Sequence, residues 1–235
     1  MIHLLHGGVG MATDWLSLEK KLSQAQGARA LDLWDFLDGE NCSLQQAGAR
    51  LAKDSRRGDF LIAYSMGGRL ALHALVAAPD HWAGAVIISA HPGLPLEERA
   101  ARLAVDAVWA RRARTENWDK FLKKWDGQGV LESSANLPLG DRRSLKSRRE
   151  AVGRSFEKWS LGRQEDLREP LARLKIPILW LSGENDAKFS ALASEMALSS
   201  ETITHKTIQN AGHRVPWENS AAFVKETNIF LTSRE

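Results

Sequence analysis

Short apolar runs alternate with longer amphipathic stretches along most of the chain, the pattern of a parallel sheet whose strands are joined by crossover helices. The first run is Ile2 to Leu5, followed by a glycine-rich turn and a helix from about Asp14. Arg29 to Leu33 is the second run, with a helix beginning near Ser43, and Phe60 to Ala63 is the third. A tight turn over Tyr64 to Gly68 opens a helix that runs to Ala78, where Pro79 stops it because proline lacks the N–H a helix needs. Ala85 to Ser89, Ile178 to Ser182 and Thr202 to Ile208 complete six runs, and a last helix is expected from about Asn219 to Leu231.

Roughly ninety residues separate the fourth run from the fifth, with no comparable β-branched run among them. This block holds Trp109, Trp118, Trp125 and Trp159 and reads as several helices, broken at Gly127-Gln128-Gly129 and at Asn136-Leu137-Pro138. Structureless loops of that length are rare in compact domains, so the block is expected to be a helical lid over the strand ends. With no internal repeat or low-complexity tract, the expectation is one domain: a core of residues 1–95 and 170–235 carrying a cap of residues 96–169.

Composition narrows the class. A chain of 235 residues, 43% hydrophobic and 26% charged, can close one substantial core and is too balanced to be disordered. The single cysteine, Cys42, excludes a disulfide framework and suits a reducing compartment. No apolar run reaches the roughly 18 residues of a spanning helix, and the opening residues lack the basic and apolar stretches of a signal peptide. A soluble, cytoplasmic protein without a membrane partner is expected. The net charge of +3 is unevenly spread: residues 96–175 carry a balance of +6 and the remainder −3. Acidic residues are interspersed through the basic block, which argues against a nucleic-acid-binding stripe.

The chemistry is carried by three segments. Tyr64-Ser65-Met66-Gly67-Gly68 follows an apolar run and opens a helix, as a nucleophile elbow does, with Ala63 where the pattern commonly has glycine. Ser182-Gly183-Glu184-Asn185-Asp186 follows the fifth run, and Asn210-Ala211-Gly212-His213 follows the sixth. Serine, acid and histidine thus arrive in the order this architecture requires, at the same edge of the sheet. Ser65, His213 and Asp186 are expected to form a triad, with His213 taking the serine proton and Asp186 holding the imidazole tautomer. Taken singly, His213 reads as a loop histidine and Asp186 as a helix N-cap. His6-Gly7-Gly8, after the first run, is expected to aim the Gly8 N–H into an oxyanion hole completed by the Met66 N–H.

These segments are the pattern of the α/β-hydrolase fold. Tyr64-Ser65-Met66-Gly67-Gly68-Arg69, His91-Pro92-Gly93-Leu94, Arg99 and Arg102 ahead of Asp106 and Trp109-Ala110, and Gly183-Glu184-Asn185-Asp186-Ala187-Lys188-Phe189 followed by Gly212-His213 narrow the match. Over nearly its whole length the chain resembles the 2-succinyl-6-hydroxy-2,4-cyclohexadiene-1-carboxylate synthases of menaquinone and phylloquinone biosynthesis. The resemblance implies a lyase on a hydrolase scaffold. It would eliminate pyruvate from 2-succinyl-5-enolpyruvyl-6-hydroxy-3-cyclohexene-1-carboxylate, without cofactor or metal, with Ser65 as a base activated by His213 and Asp186. The oxyanion hole would steady negative charge on the carboxyl group beside the carbon that loses its proton.

A tricarboxylate calls for guanidinium groups, which grip carboxylates in bidentate fashion and keep their charge when desolvated. Arg69, one helical turn beyond Ser65, and Arg102 on the first lid helix are the expected ligands, and the resemblance adds Trp125 in the lid and Tyr64 before the serine. A third arginine should follow along the lid, with Arg148 or its neighbour Arg149 at the place. Family members also carry one or two strands ahead of the His-Gly turn, so a mostly parallel sheet of about six strands without its usual antiparallel edge is expected. Two rival functions use the same fold. A carboxylesterase or carbon–carbon bond hydrolase would work through an acyl-enzyme and needs an apolar acyl pocket. A non-catalytic binder of an acidic ligand would not need an intact triad. The sequence leaves the oligomeric state open.

Overall fold

The computed structural model describes residues 1–22, 27–38, 42–131 and 137–233; Asn136, at one of the expected lid breaks, lies outside them. Six strands, β1 (Ile2–Leu5), β2 (Ala28–Leu31), β3 (Phe60–Tyr64), β4 (Gly84–Ile88), β5 (Ile178–Gly183) and β6 (Ile203–Ile208), form one sheet in the order β2-β1-β3-β4-β5-β6. Every neighbouring pair is parallel. All residues of β1, β3, β4 and β5 are buried, as expected of strands covered on both faces, whereas the edge strands β2 and β6 are only partly buried. The run expected to continue to Leu33 ends at Leu31. The Asp32 carboxylate accepts from Trp34 N and starts a 3-10 turn over Leu33–Phe36 instead.

Side chains alternate between two cores. Leu5, Leu61, Ala63, Ile87 and Trp180 face one layer, and Leu4, Ile62, Val86 and Leu179 the other. The first layer contains α2 (Leu44–Asp54), α3 (Met66–Ala77) and α8 (Ala187–Leu198), and the second α1 (Leu16–Leu22), α9 (Val215–Glu218) and α10 (Ser220–Thr232). Ser43 starts α2 with a capping box to Gln46, and the Asn219 side chain caps α10 by accepting from Ala222 N. Helix α8 starts at the residue after Asp186, where the sequence offers a helix N-cap.

Between β4 and β5 lie α4 (Leu96–Thr115), α5 (Trp118–Asp126), a 3-10 segment over Arg142–Arg148, α6 (Arg149–Lys158) and α7 (Arg168–Ala172). The break expected at Gly127 ends α5. Trp109, Phe121, Phe156 and Trp159 of this insertion join the same core as α2 and α3, so it is packed onto that face of the sheet. Among the described residues no helix is long and apolar enough to cross a membrane.

Helices α2 and α3 cross at Gly48, where an added Cβ would lie 2.7 Å from Ala74 N and 2.8 Å from the His73 carbonyl carbon. Backbone cannot yield as a flexible side chain would, so Gly48→Ala should lower the unfolding free energy by about 1–3 kcal/mol, read by urea denaturation. An unchanged midpoint would contradict this crossing. Burial, and after it the charge of Arg69, lowers the pKa of His73 to about 4. The unfolded chain, with histidine near 6.5, therefore binds the proton first. Stability present above about pH 6.5 should be lost as pH falls toward 4, and His73→Gln should flatten that loss.

Candidate active site

β3 passes into α3 through Ser65, whose φ of 51° and ψ of −109° lie outside the regions serine ordinarily occupies. The turn is held by Ser65 N donating to Ile88 O at 2.8 Å. It also requires absent side chains: a Cβ on Gly67 would lie 2.5 Å from His6 O, and one on Gly68 2.6 Å from the Ala90 Cβ. Ala63 is accommodated as a fully buried strand residue.

At the end of β5 a Cβ on Gly183 would lie 2.1 Å from Gly212 O, so the loops after β5 and β6 run in contact. That contact brings Asp186 to His213. The Asp186 carboxylate divides its work: Oδ1 accepts from Phe189 N at 3.3 Å and caps α8, while Oδ2 lies 2.7 Å from His213 Nδ1. The helix-cap and triad readings are therefore both realised by one residue. His213 Nε2 lies 3.1 Å from Ser65 Oγ. With Nδ1–H donating to the carboxylate, Nε2 is left to accept the serine proton. Asp186 and His213 are both buried, and the imidazole is flanked by the rings of Phe189 and Tyr64 at 4.5 and 5.5 Å.

The loop after β1 is fixed at both ends. His6 Nδ1 donates to Gly7 O at 2.8 Å, and its Nε2 accepts from Leu33 N at 3.0 Å, fixing one end. Trp34 Nε1 donates to Gly10 O, and the buried Asp14 carboxylate accepts from both Met11 N and Gly140 N, fixing the other. Val9 between them has φ of 53°, which a β-branched residue holds only when its surroundings impose it. Among the described residues the Gly8 N–H has no backbone acceptor, and the Met66 N–H lies in the unsatisfied first turn of α3. Both are available to a developing oxyanion.

The cleft has two chambers that share Gly8, Ser65 and Trp125. The first, of about 120 Å³, is lined by Arg69 and Arg102 together with Ser65. Arg69 Nη1 donates to Trp159 O at 2.8 Å and Gln164 Oε1 at 3.2 Å, both neutral acceptors, and Arg69 makes no ion pair among the described residues. Burial, and after it the charge of Arg102, press its pKa below the ordinary arginine value, so an added anion would relieve it. Arg102 Nε lies 2.9 Å from both oxygens of Asp106, whose carboxylate also accepts from Ser160 Oγ at 2.7 Å. His91 is lowered to about 3, by burial first and then by Lys188, Arg168, Arg69 and Arg102, and is neutral at physiological pH.

The second chamber is lined by Tyr64, Trp217, Arg142 and Arg214. Arg142 grips Asp126 with two nitrogens at 2.9 and 2.7 Å, and Arg214 Nη2 reaches the same carboxylate at 2.6 Å. Two guanidiniums thus share the Asp126 carboxylate, and Asp14 lines the same chamber. Burial raises the pKa of Tyr64, which keeps its phenol neutral.

The structure therefore brings Ser65, Asp186, His213, Gly8, Met66, Tyr64, Arg69, Arg102 and Trp125 around one cleft. Trp125 packs against Trp109 and Phe156 and also covers Gly8, where an added Cβ would lie 3.3 Å from its ring. Arg148 and Arg149 are not brought there. Arg148 pairs with Asp32 and Asp35 at 2.7 Å and with Asp38, a cluster of carboxylates that draws it to the turn after β2. Arg149 donates to Ala113 O and Glu116 O and lies over the Trp118 ring. Arg142 and Arg214 stand in the cleft instead, and sequence reasoning missed both. The adjacency of Arg214 to His213 was the one available signal.

Residues 4–226 match the pattern of the alpha/beta hydrolase family. A 2-succinyl-6-hydroxy-2,4-cyclohexadiene-1-carboxylate synthase of Salmonella arizonae is 38% identical over 236 residues, covering 94% of this chain and 89% of that protein. The synthase of Pectobacterium atrosepticum is 32% identical over 226 residues, covering 93% and 85%. Among solved structures, MenH from S. aureus superposes with a TM-score of 0.84 at 22% identity, covering 99% of this chain and 93% of that one. Carboxylesterase CesB from Bacillus subtilis shares the fold at a TM-score of 0.62 and 21% identity, covering 99% and 82%. The chain belongs to the alpha/beta hydrolase family and, within it, to the 2-succinyl-6-hydroxy-2,4-cyclohexadiene-1-carboxylate synthases.

Proposed function

We propose that this chain eliminates pyruvate from 2-succinyl-5-enolpyruvyl-6-hydroxy-3-cyclohexene-1-carboxylate and so forms 2-succinyl-6-hydroxy-2,4-cyclohexadiene-1-carboxylate. The observation that carries the reading is Arg69, a mostly buried guanidinium without a carboxylate partner, one helical turn from Ser65 and in the wall of the same cleft. A site built to hydrolyse neutral esters has no use for such a charge. A substrate with three carboxylates does, and Arg102, Arg142 and Arg214 extend the same provision to both chambers.

The chemistry follows from the triad. His213 draws the Ser65 proton, and the serine oxygen removes the proton from ring carbon C2. The C2–H electrons form C2=C3, the C3=C4 pair moves to C4=C5, and the C5–O bond breaks to release the enolate of pyruvate, whose methylene carbon takes up one proton in place of the one lost from C2, so that Ser65 and His213 return to their starting states. C2 bears the succinyl ketone, so charge accumulates on that carbonyl oxygen, a better acceptor than the carboxylate named from sequence. The N–H groups of Gly8 and Met66 would receive it. Only protons and electron pairs move, so the reaction calls for no redox or group-transfer cofactor. In this reading residues 96–169 act as the cap over a core of residues 1–95 and 170–235, and the enzyme works on a soluble tricarboxylate in the cytoplasm.

The test supplies the enolpyruvyl substrate enzymatically and compares pyruvate release with hydrolysis of a neutral chromogenic ester. Rapid ester hydrolysis with no pyruvate above background would reject the proposal. Ser65→Ala should reduce pyruvate release by about a thousandfold or more. Arg102→Ala and Arg214→Gln should each lower kcat/KM for the tricarboxylate by about 10- to 100-fold, the worth of a charge-assisted contact. Either change should leave the ester rate within about twofold. Equal losses on both substrates would count against a carboxylate clamp.

A further inference from the structure

β4 ends at Ile88, and Ser89 leaves it with φ of 47°, a left-handed backbone that glycine adopts freely and serine seldom does. The path there is dictated by neighbours. Ser89 N donates to Leu181 O at 2.9 Å, and the next residue, Ala90, lies against the first turn of α3 at Gly68. Glycine would serve this backbone better. The serine side chain is nevertheless present, 0% exposed, and its hydroxyl has no hydrogen-bond partner among the described residues. The same residue lines the first chamber of the cleft, beside Ser65, Arg69 and His91. A strained backbone and an orphaned buried hydroxyl are both unfavourable, and loss of one side chain would relieve both, which marks this hydroxyl, in the wall of the cleft, as a place for a bound group.

Taking the elimination above as the reaction, we infer that the Ser89 hydroxyl binds the ring hydroxyl of the substrate. The polar groups of that substrate can be assigned in turn. Its three carboxylates find stronger, charge-assisted partners in Arg69, Arg102, Arg142 and Arg214. Its succinyl carbonyl belongs with the N–H groups of Gly8 and Met66. The ring hydroxyl remains, and it needs a neutral partner able to donate and to accept, which a serine is. His91 offers a second neutral contact nearby: its Nδ1 accepts from Gly93 N at 3.2 Å, so its proton sits on Nε2. Ser89 would hold the ring while its C2–H faces Ser65, and because the product keeps the hydroxyl, Ser89 would bind product as well.

Ser89→Gly and Ser89→Ala separate this role from a structural one. The glycine variant removes the strain and the hydroxyl together, so its Tm should rise by a few degrees above that of the wild type. Its KM for the enolpyruvyl substrate and its Ki for the dienoate product should both rise by about tenfold, with kcat within about twofold. Ser89→Ala should show the same KM and Ki without the gain in Tm. A glycine variant with wild-type KM, or with an unchanged product Ki, would overturn the inference. A wild-type enzyme that releases no pyruvate would instead overturn the reading on which it rests.

Discussion

Three pieces of backbone meet at the start of α3, and the site depends on how closely they meet. The helix begins within van der Waals contact of the end of β1 on one side and the end of β4 on the other, which leaves no room for side chains at Gly67 and Gly68. Ser65 is thereby forced into its strained conformation and stands above the sheet. The same closeness governs the neighbours. It sets the His6 and Gly7 backbone beside the serine, so that Gly8 can face the cleft, and it turns Ser89 left-handed as β4 runs past the helix. The strain at Val9, Ser65 and Ser89 is confined to the ends of β1, β3 and β4, the carboxyl edge of the sheet. Parallel strands converge their ends on one edge, and this is where the fold can hold three unfavourable conformations against a rigid scaffold.

Charge follows a less direct logic than the sequence suggests. The insertion carries a balance of +6, yet most of its guanidiniums serve the structure. Arg114 is held by Glu150 and Glu157, Arg148 by three aspartates, and Arg168 by Asp166 and Glu195. Of the four cations that line the cleft, Arg102 and Arg142 come from the insertion and Arg69 and Arg214 from the two segments that build the sheet. Asp126 couples the two sources: it ends α5 one residue after Trp125 and holds Arg214, the neighbour of His213. One carboxylate therefore ties the insertion, through α5 and Arg142, to the loop that carries His213.

Six strands, the long helical insertion and the triad were legible because each rests on local signals. Apolar runs mark the strands, glycines mark the close approaches, and serine, acid and histidine follow successive strand ends in order. What was not legible depends on distant partners. Whether Arg142 or Arg148 reaches the cleft is decided by Asp126 and by Asp32, Asp35 and Asp38, which no spacing within the lid reveals. Ser89 closes an apolar run and reads as its last strand residue, although its backbone has already turned. Asp186 was read as either a helix cap or a triad member because sequence does not show that a carboxylate has an oxygen for each.

In the proposed mechanism the elbow serine acts as a base and never as a covalent nucleophile, where a hydrolase with the same triad would pass through an acyl-enzyme. The most direct measurement is the intact mass of the enzyme, rapidly quenched during turnover of the enolpyruvyl substrate. The mass of the unmodified chain is expected at every time point while pyruvate accumulates. A substrate fragment attached to Ser65 would contradict it.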